Sequence, residues 1–207
     1  MTGSHVAGAE PGTVAGDEHW LPVDITAWMN NVGITSANCL AEGALNIWGN
    51  TFPAEELPAP GSWLRGRATV FAFPRRGVNG DNVRCTGQRI ALPVGGYDWL
   101  HVLAAAERHT EDPAFLHYAD GSADPEWLRV SDFWPQTPGH FGEHEALRCH
   151  ALHYPSHVQR NFGPVLWHER IPVPRITPLA AIRLPENPAI HIFAMTAQLR
   201  APGGDAR

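Results

Sequence analysis

From His19 to Leu199, short β-prone runs recur, each broken by Gly, Pro, Asn or Asp after only a few residues. That punctuation is what most limits the fold. A chain interrupted this often cannot build long helices or the βαβ units of a parallel sheet, but it can build many short antiparallel strands. The clearest case is a hairpin. Ala114-Phe-Leu-His-Tyr118 and Glu126-Trp-Leu-Arg-Val130 flank Ala119-Asp-Gly-Ser-Ala-Asp-Pro125, where Asp120-Gly121 supplies the positive φ of a tight turn. Further strands are predicted over 19–25, 68–73, 82–85, 89–92, 145–153, 165–173, 180–184 and 189–199, with turns at Pro93–Gly96, from Pro174 and at Pro185–Pro188.

Two segments fit less simply. Ser36–Trp48 has the composition of a short helix, weakened by Gly43. Tyr97–Val102 is β-prone, but the following Leu-Ala-Ala-Ala-Glu-Arg favours helix. Phe52–Pro58 reads as one helical turn with Pro53 at its start. The expectation is an all-β domain over residues 18–200. It is a single antiparallel β-barrel or jelly-roll-like sandwich of about 8–10 strands with one or two short helical turns. Loose segments are expected over 1–17 and 201–207.

Composition narrows the function. Of 207 residues, 43% are hydrophobic and 17% charged, enough apolar material for a real core without staples. The net charge is −6, every basic residue is Arg, and beyond Arg75-Arg76 there is no basic stripe, so a nucleic-acid partner is not expected. No apolar run reaches a membrane span and no leader pattern opens the chain, which suggests a cytoplasmic protein. The three cysteines, Cys39, Cys85 and Cys149, make no disulfide framework and read as free thiols. Gly-x-Gly-x-x-Gly, phosphate-loop and Gly-x-Ser-x-Gly patterns are all absent, which argues against nucleotide, flavin and serine-hydrolase chemistry. No cofactor is expected, and the partner implied is a small molecule, bound by a monomer or homodimer.

Twelve histidines are the first anomaly, five of them within His140–His157. His140, His144, His150, His153 and His157 lack zinc-site spacing, and Pro155 prevents a helix that would align the last two, so no metal is expected there. Glu42, Asn46, Asn50, Asp81 and Asn82 could instead hold a structural Ca²⁺, though loop hydrogen bonding explains them as well. The second anomaly is polar residues inside apolar strands: His101; Arg129 and Asp132; His168, Glu169 and Arg170; His191. On a strand each faces either water or the interior, and an inward ionisable group must be hydrogen-bonded or functional. Asp132, His101 and Glu126 or His168 are the candidate acid and base, with Arg129 orienting them. Among eight tryptophans, Trp48, Trp99, Trp127, Trp134 and Trp167 stand in patterned segments and could line a substrate pocket.

Two resemblances extend this reading. Thr51-Phe-Pro-Ala-Glu-Glu-Leu-Pro58, Gly80-Asp-Asn-Val-Arg-Cys-Thr-Gly-Gln88, Tyr97-Asp-Trp-Leu-His101 and Asn187-Pro-Ala-Ile-His-Ile-Phe-Ala194 resemble the jelly-roll accessory domains of bacterial glycosidases. That likeness implies a carbohydrate-binding sandwich. In size, compartment and lack of a cofactor the chain also resembles the small stand-alone actinobacterial β-barrel proteins of polyketide biosynthesis, among them spiroacetal cyclases. This second likeness implies a cyclase that closes a dihydroxyketone by general acid–base chemistry, using polar residues clustered inside a closed apolar chamber.

Overall fold

A computed structural model describes residues 19–67, 69–134 and 139–201. Of the terminal segments expected to be loose, all but Ala201 lie outside the described residues. Among the described residues sixteen strands form: β1 Trp20–Val23, β2 Ile34–Thr35, β3 Phe52–Pro53, β4 Trp63–Arg65, β5 Val70–Ala72, β6 Val83–Arg84, β7 Arg89–Gly95, β8 Tyr97–Ala106, β9 Thr110–Tyr118, β10 Ala123–Val130, β11 His144–Arg148, β12 Ala151–Tyr154, β13 His157–Arg160, β14 Val165–Pro172, β15 Leu179–Arg183 and β16 Ile190–Leu199. Single 3₁₀ turns occupy Thr26–Trp28, Leu40–Glu42 and Ala54–Glu56.

Two antiparallel sheets form a sandwich. One runs β1-β16-β8-β14-β11, with β6 also paired to β16; the other runs β10-β9-β15-β7. Neither closes on itself, so of the two architectures expected the sandwich is the one found. The space between the sheets is solid. Leu100, Val102, Ala104 and Ala106 of β8 and Trp167 and Ile171 of β14 pack there with Leu116, Leu128 and Ile182 from the opposite sheet. The closed chamber expected from the sequence is therefore replaced by a filled core.

The larger sheet is covered on its other face too. Leu103, Ala105, Leu166, Phe193 and Ala194 pack under Phe52, Phe71, Phe73, Phe133 and Leu152 from the short strands and loops. Thr196 Oγ1 donates to the Val70 carbonyl at 2.7 Å and ties the β4–β5 hairpin over this face. Burial on both faces explains β8. Its alanines favour helix in isolation, but Ala104, Ala105 and Ala106 are fully buried between two layers, and packing overrides local preference.

Other boundaries moved for similar reasons. The run 145–153 is two strands, because β11 pairs with β14 while β12 pairs with β13. Ser36–Trp48 keeps only the 3₁₀ turn Leu40–Glu42. The turn expected at Pro93–Gly96 is mostly strand, since β7 continues to Gly95 opposite Leu179. The hairpin is as read: Gly121 adopts φ +85° between β9 and β10, which are paired from Thr110↔Val130 to His117↔Ala123. Gly80 is a glycine that its surroundings demand. Its φ is +135°, and a β-carbon there would lie 1.9 Å from the Asn31 carbonyl oxygen. No helix among the described residues is long and apolar enough to cross a membrane.

Candidate functional site

A cavity of about 570 Å³ opens where β14 outruns its partner β11. Pairing on that edge ends at His144↔His168, so Glu169 and Arg170 lie beyond it. Loop residues Phe141, Gly142 and Glu143 form one wall; Trp99 and His101 of β8 form another, and Arg67, from the turn between β4 and β5, reaches the rim.

Two buried imidazoles form the floor. His101 and His168 are 1% and 5% exposed, and their rings meet through His101 Nδ1 and His168 Nε2 at 2.8 Å. Strand register explains the meeting. His101 lies opposite Arg170 and His168 opposite Leu103, so both histidines point to the same outer face of the sheet. Gln198 Oε1 lies 3.1 Å from His101 Nε2 and accepts its proton. His101 Nδ1 is then left as an acceptor, to which His168 Nε2–H donates. His168 Nδ1 consequently carries the free lone pair, and it is buried without a hydrogen-bond partner. Phe71 stands edge-on to His168 at 5.2 Å and Trp20 edge-on to His101 at 5.3 Å. A β-carbon on Gly66 would come within 3.1 Å of His168 Nδ1, so a larger residue there would crowd that atom.

The electrostatics separate these groups. Burial, with His101, His144 and Arg170 adding repulsion, pushes His168 down to about 4, and burial also lowers His101. Both rings are therefore neutral near pH 7. Glu169 moves the other way. Burial, aided by the Glu143 carboxylate, pushes its carboxyl up to about 7 against the pull of Arg129 and Arg170. Glu143 is held in place: Oε1 accepts from Ser131 N at 2.8 Å and Oε2 from Phe141 N at 2.9 Å. Glu169 and His168 point to opposite faces of β14, and the cavity at the free edge of that strand is lined by both: a carboxyl that is part protonated near neutrality and a neutral imidazole with an unpartnered nitrogen. A pair of groups with separated proton affinities is what acid–base catalysis needs.

Those shifts carry a sign that can be measured. Glu169 binds its proton more tightly in the folded chain. Its stabilising contribution is full below about pH 4.5, the ordinary carboxylate value, and is lost as pH rises through about 7. His168 acts oppositely, drawing stability away as pH falls from 6.5 toward about 4. In the variant Glu169→Gln the first slope vanishes and the second remains. Its urea midpoint should rise relative to the unmodified chain between about pH 4.5 and 7 and run parallel above that. A difference that stays constant across this range would contradict the raised value.

Of the residues singled out from the sequence, the fold brings together His101, His168 and Trp99. Asp132 does not line this cavity. Its Oδ1 accepts from Trp134 N at 3.0 Å and its carbonyl accepts from the Trp167 indole at 3.0 Å, a corner-forming role. Glu126 is half-buried on β10, its carboxyl raised by burial and by Asp124, away from the histidine pair's cavity. Arg129 is exposed, paired with Glu111 at 3.1 Å and set over Trp127.

Trp167 is fully buried between the sheets, where no substrate reaches it. Trp134 packs edge-on against Phe162 at 4.4 Å. Trp48 and Trp127 are 69% and 50% exposed but do not line the histidine pair's cavity and so form no stacking platform there.

The remaining polar groups are occupied by the fold. Asp81 accepts from Gly33 N and Ile34 N, Asn46 from Asn50 N, and Asn82 Oδ1 meets His191 Nδ1 at 2.9 Å, while Glu42 pairs with Arg76. Among the described residues no group of three or more His, Cys, Asp or Glu is placed to hold a metal. Of the histidine-rich run, only His144 reaches the cavity. His153 is buried against Thr35 Oγ1 at 3.0 Å, His157 stacks on Tyr154, and His140 stacks on His109.

Glu169, His144, Arg67 and Glu143 were not among the chosen candidates. A signal for Glu169 exists in the sequence: alternation along β14 sets it on the face of Trp167 and Ile171, where a carboxylate is out of place. Arg67 and Glu143 sit in loops and give no such signal.

A search of curated proteins returned no match. A family model described as the AziU2-like beta-sandwich domain matches residues 19–201, nearly the whole described chain. At a coarse level this agrees with the likeness to small β proteins of biosynthetic pathways, and its sandwich description agrees with the two open sheets. The chain belongs to the AziU2-like beta-sandwich domain family.

Proposed function

We propose that this chain is an acid–base catalyst of ring closure in a biosynthetic pathway, of the spiroacetal-forming type, acting on a polyketide-like dihydroxyketone without a cofactor. One observation carries the reading: the buried His101–His168 pair leaves His168 Nδ1 without a hydrogen-bond partner, in a residue that lines a cavity also lined by Glu169.

The chemistry consists of proton transfers and loss of water, with no change of oxidation state. One hydroxyl of the substrate adds to the ketone and forms a hemiketal. Glu169, part protonated near neutrality, gives its proton to the departing hydroxyl, which leaves as water. The second hydroxyl attacks the oxocarbenium carbon, and His168 Nδ1 takes the proton it releases. Transfer of that proton back to Glu169 through solvent restores both groups, for a net loss of one water. A base as weak as His168 suffices, because the protonated ether it relieves is a far stronger acid. In this reading Glu169 takes the acid role expected of Asp132 or Glu126, and His101 is a positioning residue that fixes the His168 ring. A preshaped cavity favours one folded conformer of the substrate and hence one stereoisomer.

The test is stereochemical. The protein is incubated with synthetic dihydroxyketones that close to five- and six-membered rings, and the products are separated on a chiral column. One spiroacetal isomer should be enriched over the mixture formed without protein. The same rate and isomer ratio with and without protein, across the panel, would sink the reading.

A further inference from the structure

The cavity rim carries two guanidinium groups that the fold does not neutralise. Arg67 and Arg170 both line it, and neither has a carboxylate within ion-pair distance among the described residues, whereas seven other arginines do. Arg170 lies over the Trp99 ring, its Cζ 4.4 Å from the centroid. Stacking of this kind fixes the guanidinium plane and leaves its edge N–H donors free, the arrangement suited to a bidentate oxyanion. Arg67 Nη1 sits 3.2 Å from His144 Nε2, which steadies it at the opposite rim.

The two carboxyls in the same cavity offset this charge only in part. Both oxygens of Glu143 accept backbone N–H groups, and Glu169 is pushed toward its neutral form. A neutral polyol would gain little from two guanidinium groups that have no ion-pair partner. An anionic substrate would be drawn in and oriented by them.

We infer that the cavity takes a substrate carrying an oxyanion, a carboxylate or a phosphate ester, held by Arg170 and Arg67 with its reacting end toward His168. This rests on the acid–base reading for what happens at His168, but the anchor itself can be tested without turnover. Binding of hexanoate, hexyl phosphate and hexanol is followed by calorimetry on the full chain. The expected result is saturable binding of one or both anions and at least about tenfold weaker binding of hexanol. The preferred anion tells carboxylate from phosphate.

Arg170→Gln and Arg67→Gln should each weaken the preferred anion by about tenfold. Both positions are exposed, and thermal melting checks that the variants fold. Hexanol binding as well as the anions, absence of binding by either anion, or unchanged affinity in both variants would overturn the anchor. Anion binding without ring closure of any dihydroxyketone would leave the anchor standing and remove the acid–base reading. Ring closure that depends on His168, with no preference for anions, would do the reverse.

Discussion

His168→Gln is expected to lower the rate of ring closure by about 10²–10⁴-fold, the usual contribution of a positioned proton acceptor. Glutamine is chosen because its amide nitrogen can occupy the place of Nε2 and still donate to His101 Nδ1, a bond now 2.8 Å long. What it lacks is a basic lone pair where His168 Nδ1 now stands. The loss should fall on kcat with KM little changed, since the group acts on the reacting proton rather than on binding. Circular dichroism and thermal melting should show the fold retained. Replacement should even relieve the buried, unpartnered nitrogen. Turnover at the level of the unmodified chain would remove His168 from the mechanism.

The largest effect on stability is expected at Trp167. Its side chain is fully buried between the sheets, pairs in register with Ala104 and Glu145, and donates from Nε1 to the Asp132 carbonyl at 3.0 Å. Trp167→Ala should cost about 3–5 kcal/mol, combining lost burial with the cavity left behind. Trp167→Phe keeps most of the packing but strands the Asp132 carbonyl, and should cost about 1–3 kcal/mol. Urea unfolding measures both. The sequence-level expectation that Trp167 lines a substrate pocket makes the opposite forecast, weaker binding at unchanged stability. Observing that instead would place Trp167 at a ligand.

The difference between these residues shows what could be read in advance. His101 and His168 stand out in the sequence as polar residues in apolar strands, and both are buried, on the outer face of the larger sheet. Glu169 stands in the same stretch and was noted, but its neighbours His168 and Arg170 made it look like one of several charges. Alternation sets Glu169 on the other side from His168 and Arg170, and the register of β14 against β8 shows that its side is the core side. Asp132 looked as good a candidate as any, yet a corner between layers claims both its carboxylate and its carbonyl. Arg67 and Arg170 are about a hundred residues apart in the chain, and no local pattern links a hairpin turn to the far end of a strand.

The sequence by itself determined that the chain is all-β. The spacing of its turn residues and the alternation of its strands are local properties, set by backbone sterics within a few residues. It also determined the β9–β10 hairpin, whose Asp-Gly turn needs no distant partner. Tertiary structure alone decided that the sheets stay open, that both faces of the larger one are covered, and that the candidate cavity lies at a strand edge rather than inside a chamber. These depend on which strands pair and in what register. A shift of one residue would turn His101 and His168 to the core side, and periodicity in a single strand cannot fix that choice.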